Sequence, residues 1–321
     1  MPSQRSALGL LDRRLLFVTG KGGVGKTSVA SALGHLAAGR GKRTLVCEVD
    51  SKGDLADFFG VGPLVFDPVE VRPDLFAMAM DTEASLKEYL RLQLKVPMLA
   101  KVGPLARTFD FIANAAPGVK EILTVGKLTY EVREGHYDLV VVDASATGHV
   151  VGQLASPVAI NDLVKVGLVR NQTDWMIDIL TDPDQTAVVV VTAPEEMPVS
   201  ETLELVERLG DETDIEVASV VVNRVLPELF ARSDEEIFDR LREPDALAAL
   251  GERVGAGIGA VMEGAELAVS LRRSRVRHLT RLREGLPAGL PVLNLPYLFT
   301  RSHGVRATAK IAEALGEELG F

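Results

Sequence analysis

The chain has 321 residues, 47% apolar and 25% charged, with a formal net charge of −10 at pH 7; this excludes intrinsic disorder and disfavours binding to nucleic acid through bulk charge. A single cysteine, Cys47, excludes an intrachain disulfide and a metal site made only of one subunit's thiolates, and favours a reducing compartment. The longest run without Asp, Glu, Lys or Arg, 144–161, is interrupted by Gly148, Gly152 and Pro157 and does not suit a membrane span, so a cytoplasmic protein is expected.

Short β-branched runs alternate with longer helical stretches. In chain order the predicted strands are 15–19, 44–49, 75–80, 139–142, 187–192, 218–222 and 292–295. Their apolar character is continuous, as a sheet covered on both faces requires. The expected class is α/β: a P-loop fold with one doubly wound, mostly parallel sheet flanked by helices, occupying residues 1–321 as one domain. No strand-like run falls between Asp81 and Asp138, which predicts a helical insertion at about 82–137. Further helical segments are expected at about 158–181 and 233–284.

The first predicted strand runs into Gly20-Lys21-Gly22-Gly23-Val24-Gly25-Lys26-Thr27, which fits G-x-x-x-x-G-K-[ST] and opens a predicted helix over 28–38. Glycines let backbone N–H groups turn inward around phosphate oxygens. Lys26 places a charge on the β and γ oxygens, and the Thr27 hydroxyl can ligate Mg²⁺. Lys21 is a second lysine that the minimal motif does not demand. It is read either as a solvated loop residue or as a charge that neutralises phosphate across a dimer.

The strand over 139–142 delivers Asp143 at its carboxyl end, where nucleotide folds place the Mg²⁺-linked acid, although an acid that merely caps the strand is the plainer reading. The small residues that follow, through His149, suit a loop that reorganises with the γ-phosphate. The strand over 44–49 ends in Asp50, a candidate for orienting the attacking water. Asp50 could instead cap the short helix after Gly53 or contact Mg²⁺ through water. Asn223 follows the strand over 218–222, and an amide there can read a purine edge or satisfy local backbone.

Lys21 in the phosphate loop, Asp50, and Asp143 to His149 as D-x-x-x-T-G-H together resemble the family of arsenical-pump (ArsA) and tail-anchored-protein targeting (Get) ATPases. Pro117 to Glu121 is similar to that family's P-G-x-x-E, Glu201-Thr202 to its E-T, Val222-Asn223-Arg224 to its V-N-Q, and Pro296 with Gly304 to Arg306 to its closing stretch. The resemblance implies ATP or ADP with Mg²⁺ sandwiched between two facing subunits, as a homodimer or a heterodimer with a paralogue. It implies that Gly20, Gly22, Gly23, Val24, Gly25, Thr27 and Ser28 cradle phosphates and that Lys26 and Lys21 neutralise them. Thr27 and Asp143 would serve Mg²⁺, Asp50 would position water, and Asn223 would read adenine near Pro296 to Leu298. The family's first switch reads D-P-x-H, whereas Asp50-Ser51-Lys52-Gly53 stands here, from which slow turnover is expected. The cysteines that hold zinc or arsenite in family members are absent, and Cys47 is expected to be a buried strand residue.

Met98, Leu99, Val102, Leu105, Phe109, Phe111 and Ile112 in the insertion, with Leu168, Val169, Trp175, Met176, Ile177, Ile179 and Leu180, fall on helices that in family members form a groove for a hydrophobic protein client. Ordinary core packing would use the same residues. Arg272, Arg273, Arg275, Arg277, Arg281 and Arg283 form one basic stripe, read as a solvated face or as a dock for an acidic partner or membrane. The expected function is an ATPase that opens and closes a dimer to handle a protein or membrane-associated client. The rivals are a ParA/MinD-like positioning ATPase and a low-activity nucleotide-binding partner of a paralogue. No aromatic residues interleave with the arginines, so no nucleic-acid partner is expected.

Overall fold

The computed structural model describes residues 7–50, 53–94, 118–164, 166–227, 232–255, 257–299 and 304–321. Among these the strands are β1 (Leu15–Gly20), β2 (Thr44–Glu48), β3 (Val69–Arg72), β4 (Leu75–Ala79), β5 (Leu139–Ala146), β6 (Thr186–Thr192), β7 (Val217–Val225) and β8 (Val292–Pro296). The helices are α1 (Lys26–Ala38), α2 (Asp54–Phe59), α3 (Thr82–Leu94), α4 (Val119–Glu134), α5 (Thr147–Leu163), α6 (Leu168–Thr181), α7 (Glu196–Glu212), α8 (Arg232–Leu241), α9 (Pro244–Val254), α10 (Ile258–Gly285) and α11 (Val305–Glu318).

The strands form one sheet in the order β3-β4-β2-β5-β1-β6-β7-β8, parallel throughout except for β3 against β4. Successive β1 residues serve opposite faces, as the two-residue period of a strand dictates. Leu15 and Phe17 join a core cluster with Leu128 of α4, Leu154 of α5, Leu180 of α6 and Leu209 of α7. Leu16 and Val18 join the opposite cluster with Leu33 of α1, Leu55 of α2 and Leu315 of α11. Both faces are dry, which is why the strands read as unbroken apolar runs.

Three features depart from the expected elements. Strand β3 has no apolar run to announce it, because Val-Glu-Val-Arg is short, mostly exposed and at the sheet edge. Strand β5 continues through Ala146, and Thr147, Gly148 and His149 already belong to α5; the stretch expected as a loop is therefore strand and helix. Strand β7 reaches Val225, with a register shift after Val222 and Arg224 at φ 61°. Helices α8, α9 and α10 carry a small cluster of their own around Phe238, Met262 and Val269. Among the described residues no helix is long and apolar enough to cross a membrane.

Candidate nucleotide site

Strand β1 lies at the centre of the sheet between β5 and β6, so the chain leaves it at the point where strand order reverses. Open α/β sheets bind ligands in that crevice, beyond the carboxyl ends of the strands. The glycine loop crosses the crevice and Lys26 begins α1, so the first free N–H groups of the helix point into it. Gly25 has φ +98°, and a Cβ there would stand 2.3 Å from Asn223 Nδ2. The position therefore needs glycine for both backbone conformation and space.

A cavity of about 400 Å³ opens over the loop, lined by Gly22, Gly23, Gly25, Lys26, Thr27 and Ser28 on one side and by Asp50 and Asp143 on the other. Thr27 Oγ1 donates to Asp143 Oδ2 at 2.7 Å. Lys26 Nζ donates to the Lys21 carbonyl at 3.4 Å. Asp143 is 7% exposed, and its Oδ1 has no hydrogen-bond partner among the described residues. Such an oxygen beside a helix-initiating hydroxyl fits the donor set of a hard cation such as Mg²⁺.

Burial pushes the Asp143 carboxyl up to about 6 against the pull of the Thr27 hydroxyl and Lys26; Glu48 and Asp50 add to the rise. A carboxyl raised in this way favours the folded state below its unfolded value near 3.8, and that contribution is lost as pH rises through about 6. Asp143→Asn lacks the titration. In urea unfolding without Mg²⁺, its stability relative to the parent is expected to rise between pH 4 and pH 7.5, by at most about 3 kcal/mol. An unchanged difference would refute the burial argument.

A model of the anion-transporting ATPase (ArsA) family matches residues 13–177 and 168–245. This chain belongs to the ArsA ATPase family. It is 31% identical to ATPase BagA of Mycobacterium tuberculosis over 301 residues, covering 89% of this chain and 86% of that protein. A Halobacterium salinarum protein named for an arsenical pump-driving ATPase is 30% identical over 75% of this chain but only 40% of its own length. An ASNA1 homologue of Entamoeba dispar is 26% identical over 66% of this chain and 76% of its own.

Within this ArsA-family site the structure separates the candidate residues. Asp50 lines the cavity and accepts from Ser145 Oγ at 3.1 Å. It does not cap α2: Glu48 Oε1 takes the Asp54 N–H at 3.1 Å instead. Lys21 turns away from the cavity and forms an ion pair with Glu201, whose other oxygen accepts from Thr147 Oγ1 at 3.1 Å. Asn223 is 7% exposed; its Nδ2 donates to the Val24 carbonyl at 2.8 Å and its Oδ1 accepts the Arg224 N–H at 2.9 Å. That satisfies backbone, the plainer of the two readings, and leaves one N–H and one lone pair. Pro296 ends β8 and Leu298 follows it; neither lines the phosphate cavity, and the exposed rings of Tyr297 and Phe299 flank Leu298.

Glu48, Asp54, Asp57, Phe58 and Arg224 also line the cavity. Of these Glu48 had a legible signal: an acid inside an otherwise apolar buried strand. Burial raises its carboxyl above the usual range despite the backbone N–H groups of α2.

Cys47 is fully buried in β2, and desolvation pushes its thiol up to about 12, so it offers no thiolate to a metalloid. In the arginine stripe, Arg272 donates to the Leu226 carbonyl and Arg275 to the Arg224 carbonyl at 3.3 Å, so part of it anchors the end of β7. Of the groove residues, Ile179 and Leu180 are core. Val169, Trp175 and Met176 line an apolar cavity of about 200 Å³ between α3, α4 and α6. Met98 through Ile112 lie outside the described residues.

Proposed function

We propose that the protein is a Mg²⁺-dependent ATPase whose ATP-bound copies pair face to face, and that the pairing governs access of a hydrophobic client. The observation that carries the ATPase reading is the Thr27–Asp143 hydrogen bond beneath a glycine loop that opens α1 at the switch point of the sheet. Thr27 and Asp143 would hold Mg²⁺, whose charge would offset that of the phosphates. The loop N–H groups and Lys26 hold the β and γ phosphates, and Asp50, fixed by Ser145, orients water on the γ-phosphate. Asn223 braces the loop, and its spare N–H and lone pair face adenine. The rings beyond Pro296 offer adenine a surface on which to stack. A protein that consumes MgATP belongs in the cytoplasm, where both are supplied.

Client handling is supported by the apolar cavity between α3, α4 and α6, and by Leu163 at the end of α5 and Val166 between α5 and α6, which are 82% and 83% exposed. The ion pair with Glu201 supports a crossing role for Lys21: it keeps the amine near the loop without committing it to the protomer's own phosphates. Glu201→Gln frees that amine. In sedimentation with a non-hydrolysable ATP analogue, the variant is expected to dimerise about 5- to 30-fold more tightly than the parent, from about 0.5–1 kcal/mol of partly exposed pairing removed from each of the two monomers. ATP turnover with Mg²⁺, and its loss in EDTA, tests the enzyme reading. A parent that stays monomeric with the analogue would refute pairing.

A further inference from the structure

Glu48 stands beside Asp143. The two are register partners on adjacent parallel strands, β2 and β5, so their side chains project to the same face, toward α1, from backbones about 4.8 Å apart. Glu48 is 3% exposed and lines the phosphate cavity. Its two oxygens are used differently. Oε1 accepts the N–H of Asp54 at the start of α2, whereas Oε2 has no hydrogen-bond partner among the described residues. Asp143 shows the same division, with Oδ2 on Thr27 and Oδ1 without a partner.

Two buried carboxylates side by side, each with an unsatisfied oxygen, are costly: about 1–3 kcal/mol for each missing hydrogen bond, and repulsion besides. Capping α2 does not require the charge, because a glutamine carbonyl would accept the same N–H. The cavity lining carries five carboxylates, of Glu48, Asp50, Asp54, Asp57 and Asp143, against the cations of Lys26 and Arg224. A polyphosphate entering alone would meet a surplus of negative charge on the carboxylate side. A divalent cation gives the orphaned oxygens a partner and offsets most of the surplus.

We infer that Glu48 is a second cation-holding carboxylate of the site, paired with Asp143, and that its other oxygen ties the occupied cation to the N-terminus of α2. The inference rests on the MgATP reading above and adds to it a residue and a route. Through Glu48, cation loss is transmitted to α2, which carries Asp54, Asp57 and Phe58 of the cavity wall.

The test measures Mn²⁺ affinity by electron paramagnetic resonance on the full chain with ADP, so that no turnover is needed. Glu48→Gln, which keeps the α2 cap, is expected to weaken Mn²⁺ binding about 10-fold or more while ADP affinity in EDTA does not fall, because the change removes a carboxylate that repels phosphate. Glu48→Asp, which keeps the charge, is expected to lose less than threefold. Mn²⁺ affinity unchanged in Glu48→Gln but reduced in Asp143→Asn would overturn the role of Glu48 and leave the nucleotide site standing. Equal losses in the Gln and Asp variants would mean that shape and not charge matters, and would also overturn it. A parent without ADP-dependent Mn²⁺ binding would overturn both the inference and the reading beneath it.

Discussion

Lys26→Ala is expected to lower single-turnover ATP hydrolysis by about 10³-fold, the loss typical of removing one preorganised donor from developing negative charge. The geometry makes the lysine hard to replace. Its ammonium is held at the mouth of the loop by the Lys21 carbonyl at 3.4 Å, a long bond that a phosphate oxygen can displace at little cost. The opposite wall is acidic, and Lys21 is engaged with Glu201. No other loop side chain supplies charge to a γ-phosphate in the unpaired protomer. Lys26→Arg should recover little, because a planar fork cannot take the place of a compact ammonium between two phosphates. Radiolabelled phosphate release under single-turnover conditions measures the effect. A loss under tenfold would mean that the triphosphate binds elsewhere or that hydrolysis depends on other charge.

The frame of this site was legible in the sequence because its physics is local. Gly20 to Thr27 announces itself through backbone demands met by few residue types, and the strand before it and the helix after it follow from apolar period and length. Asp143 was legible as an acid ending an apolar strand. Glu48 obeys the same rule one strand away but lies within its run, not after it, and only the β2–β5 register makes it the neighbour of Asp143. Lys21 and Glu201 are 180 residues apart, and no periodicity in either segment encodes their pairing. The stretch after Asp143 misled for a different reason. Small residues suit both a mobile loop and close packing, and here the tertiary environment draws Ala144 to Ala146 into the ladder beside β1. The arginine stripe is ambiguous in the same way: a helix wheel shows charge but not which carbonyls of β7 lie within reach.

Gly25→Ala is expected to destabilise the fold by about 2–5 kcal/mol and to weaken ADP binding in the same variant. Two separable causes contribute. At φ +98° an L side chain is strained, which costs about 1–2 kcal/mol. The added methyl also falls 2.3 Å from Asn223 Nδ2, so the amide must leave the Val24 carbonyl and a buried hydrogen bond is lost, at about 1–3 kcal/mol. Asn223→Ala by itself should cost about 1–2 kcal/mol by losing that bond and the one to Arg224. The causes overlap, so the double variant should be less destabilised than the two single losses added together, by about 1 kcal/mol or more. The steric conflict disappears when Asn223 is truncated, whereas the strain at Gly25 does not. Chemical denaturation of the four proteins measures this non-additivity, and ADP affinity should follow the same order if the loop that Asn223 braces holds phosphate as proposed. Strict additivity would show that Asn223 and Gly25 act independently, and the brace between β7 and the phosphate loop would then contribute nothing to the shape of the site.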